Sequence, residues 1–103
     1  MTYQKAAQKL VKAEGVNYST MMKSPCLRYK GDFMAMMFER ENALIVKLSP
    51  ERVDELIVSG EGREFNFTKK RFKEWVLIPS EMERHYEKYM QEALAYAKSK
   101  RKP

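Results

Sequence analysis

The chain holds one histidine and one cysteine, His85 and Cys26, so a Cys–His dyad is the one nucleophile pairing of that kind its composition allows. Structural zinc sites built from four Cys and His ligands are excluded within a single chain. Cys26 stands near the start of a predicted strand. His85 stands on the last predicted helix, with Glu81 and Tyr89 four residues to either side, a spacing that allows a hydrogen bond and fits an ordinary helix face equally well. The only G-x-G, Gly60-Glu61-Gly62, follows a predicted helix and precedes a strand. That is the reverse of the strand-to-helix context in which a glycine-rich loop cradles phosphate, so it reads as a helix stop and turn. Glu39 and Glu41 flank Arg40 in a loop, and Asp54 and Glu55 lie on the polar side of a helix. No carboxylate pair is set where burial would push one pKa upward, as acid–base catalysis requires. The expectation is a non-enzymatic protein with no catalytic residues, no cofactor and no metal.

Binding is the chemistry left, and basic residues are its first candidates. The net charge of +6 divides into +5 over residues 1–31, −3 over 32–97 and +4 over 98–103. Lys69, Lys70, Arg71 and Lys73 lie beside Trp75, the one tryptophan, while Lys98, Lys100, Arg101 and Lys102 form a basic C-terminal tail. An exposed Trp75 beside these lysines would stack on a base, whereas a buried one would anchor the sheet to a helix. Eight methionines, with Met21, Met22, Met34, Met36 and Met37 close together, suit either an adaptable contact surface or an irregular core.

Elements that position these residues follow from apolar spacing. Tyr3, Ala6, Ala7, Leu10 and Val11 fall at helical intervals, with Gly15 as a stop. Cys26–Lys30, Phe33–Phe38 and Ala43–Leu48 read as three strands with short connections, which implies an antiparallel meander. Ser49-Pro50-Glu51 opens a helix with a capping hydroxyl, a proline suited to the first turn and a carboxylate at the positive end of the dipole. Val53, Leu56 and Ile57 give it one apolar face, and Gly60 ends it. Arg63–Phe67 and Lys73–Ile78 are two further strands, joined by a basic loop from Thr68 to Arg71. Ser80 and Glu83 form a capping-box pattern before a long last helix. Its apolar face is Met82, Tyr86, Tyr89, Met90, Ala93, Leu94 and Ala97. The predicted order is α-β-β-β-α-β-β-α, an α+β fold with a five-stranded antiparallel sheet covered by helices.

A chain of 103 residues supports one core, which places a single domain at 1–97 and a tail at 98–103. No run reaches the roughly 18 apolar residues that cross a bilayer. The first residues lack a secretory apolar stretch. A lone cysteine forms no internal disulfide, so a cytoplasmic protein is expected.

The ordered set Met22, Pro25-Cys26-Leu27, Gly31, Phe33, Ala35, Val46-Lys47-Leu48, Glu51-Arg52-Val53, Leu56, Gly60-x-Gly62, Phe65, Phe72-Lys73-Glu74-Trp75-Val76, Pro79, Ala93 and Ala97 covers some three quarters of the chain. It resembles the TfoX N-terminal domain family and, more distantly, the MmcQ/YjbR-like proteins. The sequence departs from that pattern at Met22-Lys23, where many relatives resemble Met-Phe-Gly. The resemblance implies a two-layer α/β fold with an antiparallel sheet, and regulation rather than catalysis, because the name-giving relatives are competence regulators acting on transcription. It extends to their N-terminal domain alone. The expected function is a binding or regulatory module that recognises another protein or itself. The alternative is nucleic-acid binding through the basic N-terminal helix, the Thr68–Lys73 segment and the tail. No membrane partner is expected.

Overall fold

A computed structural model describes residues 2–21, 23–67 and 70–100, and places them in a six-stranded sheet with three α-helices. The elements are α1 (Tyr3–Leu10), β1 (Val16–Met21), β2 (Ser24–Tyr29), β3 (Asp32–Phe38), β4 (Ala43–Lys47), α2 (Pro50–Ser59), β5 (Arg63–Phe67), β6 (Lys70–Pro79), a 3-10 segment (Ser80–His85) and α3 (Tyr86–Lys100). Strand order is β1-β2-β3-β4-β6-β5, and every neighbouring pair is antiparallel.

The α+β class is as expected, but the sheet has six strands rather than five. The unforeseen strand is β1. It reads Val-Asn-Tyr-Ser-Thr-Met and lies at the sheet edge with only Val16 fully buried, so its polar residues hide the apolar periodicity of an inner strand. Three other boundaries shift. Val11 caps α1, and Gly15 sits beyond the helix, at φ 90° in the turn into β1. Lys70 and Arg71 lie within β6 rather than in a loop, their backbones paired with Phe67 and Asn66. Ser80 does not cap the last helix. The preceding Pro79 stands at the N-cap of a 3-10 segment that has no side-chain cap and contains Met82 at φ −99°, ψ 15°. The α-helix proper starts at Tyr86.

Elsewhere the local chemistry acts as expected. Ser49 Oγ accepts from the Arg52 amide at 3.2 Å, and Gly60 closes α2 at φ 86°, a left-handed geometry that glycine adopts without steric cost. Lys30 and Gly31, both at positive φ, link β2 to β3 with the hand that suits strand twist.

One sheet face packs against all three helices. Tyr3, Ala6, Ala7 and Leu10 of α1, Val53 and Leu56 of α2, and Tyr86, Tyr89, Met90 and Ala93 of α3 bury Leu27, Leu44, Val46, Val76 and Ile78. A bulge in β3 turns Met34 and Ala35 to this same side. Leu27 pairs with Ala35 but Arg28 with Phe33, so Met34 is the extra residue.

The opposite face builds a second core from strands alone: Cys26, Phe33, Met36, Phe38, Ile45 and Phe65, edged by Met21, Trp75 and Leu77. Its burial follows from curvature. Phe38 on β3 and Phe65 on β5 stand three strand positions apart, roughly 14 Å in a flat sheet. Their ring centroids lie 5.7 Å apart. The sheet therefore curls toward this side, helped by a slip in which β5 advances two residues while β6 advances five.

Candidate interaction surfaces

The residues singled out for catalysis stay apart. Cys26 is only 1% exposed in the strand-built core, where burial pushes its thiol up from the ordinary range against smaller opposing effects of Arg28 and Ser19. That environment disfavours the thiolate. His85 is half-buried on the 3-10 segment, whose Met82 packs on the helix side of the sheet. Gly60 and Gly62 do structural work. A β-carbon on Gly62 would stand 2.6 Å from Val76 Cγ2, so glycine there lets the chain leaving α2 press onto β6. Among the described residues no group of three His, Cys, Asp or Glu side chains is placed to hold a metal ion. Among the described residues no helix is long and apolar enough to cross a membrane.

The described methionines are mainly packing, Met1 and Met22 lying outside the described residues. Met34, Met36 and Met90 are completely buried, and Met21, Met37 and Met82 half-buried. Trp75 takes neither role foreseen for it. It is half-buried on the face away from the helices, its ring 4.5 Å from that of Phe33 and 5.5 Å from that of Phe65. It ties β6 to β3 and β5 rather than the sheet to a helix.

Two surface features stand out. The first is a corner where β6 meets the C-terminal end of α3. Glu74 accepts from Lys100 Nζ at 3.0 Å and from the Tyr96 hydroxyl, and Lys100 also lies 5.2 Å over the Tyr96 ring. Donation from Tyr96, then from Lys100, holds the Glu74 carboxyl below the usual range. Burial and this carboxylate push the Tyr96 phenol up. The bond to Glu74 likewise raises Lys100.

This junction brings two segments that are distant in sequence to one place. Lys73 and Trp75 flank Glu74, and Lys98 precedes Lys100, with Lys73, Lys98 and Lys100 exposed. Lys47 pairs across strands with Trp75. Lys69, Arg101 and Lys102 lie outside the described residues, as do the side chains of Lys70 and Arg71.

Neither Glu74 nor Tyr96 was a sequence candidate, yet a signal existed. Glu92, Tyr96 and Lys100 recur every four residues and so form one stripe along α3. Glu92 takes the Arg52 guanidinium of α2 in a two-point fork of 2.8 and 3.2 Å, and the other two hold Glu74. Two depressions flank Tyr96: a narrow cleft bordered by Asp32, Lys47 and Lys100, and a larger, more open groove bordered by Ser49, Arg52 and Glu92. Their charged groups are mixed in sign, and the larger one is shallow.

The second feature is the outer edge of β1. Lys30 N–H donates to Gly15 O at 2.8 Å, making Gly15 and Lys30 a hydrogen-bonded pair. Such pairs alternate along an antiparallel ladder. Asn17, Ser19 and Met21 therefore turn their backbone groups toward β2, while Val16, Tyr18 and Thr20 turn theirs outward. Val16 N–H is satisfied by Ala13 O at 3.2 Å. Both backbone groups of Tyr18 and of Thr20 remain on the edge, where no other described element pairs with them. Tyr18 is also 60% exposed, unusual for a large ring in this molecule. β1 has no charged residue, proline or register break, the devices that usually guard an edge. The opposite edge, β5, carries Arg63, Glu64 and the register slip.

Comparison of the chain with protein-family models, curated proteins and solved structures finds no match.

Proposed function

We propose that this chain is a non-enzymatic binding module that recognises another protein or a second copy of itself. The observation that carries this reading is the unguarded edge of β1, whose outward amides and carbonyls at Tyr18 and Thr20 are ready to accept an added strand. The resemblance to the TfoX N-terminal domain family supports it through the regulatory character of that family. A cytoplasmic setting belongs to the same reading, since the lone Cys26 is a free thiol. Mass measurement in solution across a concentration series, with pull-down from cell extract, is the test. A strictly monomeric chain that enriches no partner defeats the proposal.

A second reading, nucleic-acid binding, is favoured by the exposed Lys73, Lys98 and Lys100 on β6 and α3, the two elements that meet at Glu74. Phosphate contacts of this kind release counterions, so affinity should fall steeply with salt. Removing residues 98–103, or substituting Lys73→Glu, should weaken binding and flatten the salt dependence. No binding of single- or double-stranded oligonucleotides at low salt ends this reading.

A further inference from the structure

Resting on the reading of β1 as a recognition edge, we propose that its partner is a second copy of the chain, paired antiparallel β1 to β1 about a twofold axis through Ser19. The outward backbone groups dictate the register. A twofold axis at Ser19 sets Tyr18 opposite Thr20 of the second copy, and Thr20 opposite its Tyr18. The two residues whose N–H and C=O face outward thus meet each other, forming two hydrogen-bonded pairs and joining two six-stranded sheets into one of twelve.

Charge selects the same arrangement. Glu14 lies just before β1 and Lys23 just after it, both exposed. Antiparallel pairing sets the β1–β2 turn that carries Lys23 toward the end of the second copy's strand that Glu14 precedes, twice over. Parallel pairing would set lysine beside lysine and glutamate beside glutamate. The strand itself is neutral, so nothing along its length opposes the approach. The exposed Tyr18 ring would then lie against Thr20 of the second copy, a cross-strand contact that shields the new hydrogen bonds.

The test starts with the concentration dependence of mass for the intact chain, measured by sedimentation, and continues with three variants. Ser19→Cys in a Cys26→Ala background removes the alternative bond to Cys26, the neighbour of Ser19 across the β1–β2 ladder. The two introduced thiols would face each other in a non-hydrogen-bonded pair, about 4.5 Å between α-carbons, within reach of a disulfide. Oxidation should give a covalent dimer, and Asn17→Cys in the same background should not. Thr20→Pro deletes an outward N–H without touching the ladder to β2, and should weaken dimerisation about tenfold or more while the far-ultraviolet circular dichroism is kept. Glu14→Lys and Lys23→Glu should each weaken the dimer, and their combination should restore it.

Equal cross-linking from Asn17→Cys, or an undiminished dimer in Thr20→Pro, overturns the β1 register while leaving self-association intact. A chain that stays monomeric up to about 1 mM overturns the homodimer. The wider reading is then decided separately, by whether Thr20→Pro abolishes capture of another protein from extract.

Discussion

Glu74 of β6 and Lys100 in the last turn of α3 meet at 3.0 Å, and Tyr96 donates its hydroxyl to the same carboxylate oxygen. The contact holds the C-terminal end of α3 against β6. Glu74 is the acceptor for both groups, so its removal strands a phenol and an ammonium together.

Glu74→Gln should therefore destabilise the fold at neutral pH by about 1 kcal/mol, near the upper end for partly exposed pairs, because Lys100 and Glu74 retain considerable solvent contact. The pH dependence has a definite sign. The folded pKa of Glu74 lies below its ordinary 4.5, so its contribution is present above that value and is lost as pH falls through the folded pKa. Urea unfolding of both proteins between pH 7 and pH 3 should show the gap narrowing with acid. A constant gap would show that carboxylate charge is not its source.

Tyr3→Phe should leave stability unchanged or raise it by about 1 kcal/mol, because the Tyr3 hydroxyl is buried with no hydrogen-bond partner among the described residues. Burial raises its pKa above the ordinary phenol value for the same reason. Thermal unfolding is the check. A marked loss would mean that the hydroxyl has a partner in solution.

Gly62→Ala should destabilise by about 1–3 kcal/mol, since the added methyl would overlap Val76 in a packed core. Pairing it with Val76→Ala isolates the cause. Truncating Val76 alone opens a cavity, but in the double variant the new methyl occupies part of that space, so the combined loss should be smaller than the sum of the two. Additive losses would place the strain in the backbone of the turn.

How much of this was legible in the sequence depends on where each residue sits relative to the core. Positions that bury one face announced themselves: Val53 and Leu56, the six inward residues of α3 from Tyr86 to Ala97, and the apolar run of β3. Caps with local chemistry, Ser49 and Gly60, were equally plain. β1 was missed because an edge strand needs few apolar residues, although Val16, Tyr18 and Thr20 alternate as β-formers. The Ser80–Glu83 pattern misled because a capping box specifies local hydrogen bonds, and here the chain leaving Pro79 takes a 3-10 path before the helix settles. The candidate surfaces were half visible. Basic residues could be counted, but the meeting of Lys100 with Glu74 is a tertiary fact, and sheet curvature that seats Trp75 between Phe33 and Phe65 leaves no periodic trace.

Methionine oxidation provides a direct probe of that curled face. Met36 is fully buried in the strand-built core although no helix contributes to that core, whereas Met34 and Met90 are buried beneath helices. If the curl persists in solution, dilute peroxide should oxidise the half-buried Met21, Met37 and Met82 first, with Met34, Met36 and Met90 reacting only as the protein unfolds. Peptide mass spectrometry resolves the order. Oxidation of Met36 at the rate of Met21, with Met34 still protected, would mean that the sheet opens on the side away from the helices. The Phe38–Phe65 contact would then be transient, and the apolar face beneath it would be available to a partner.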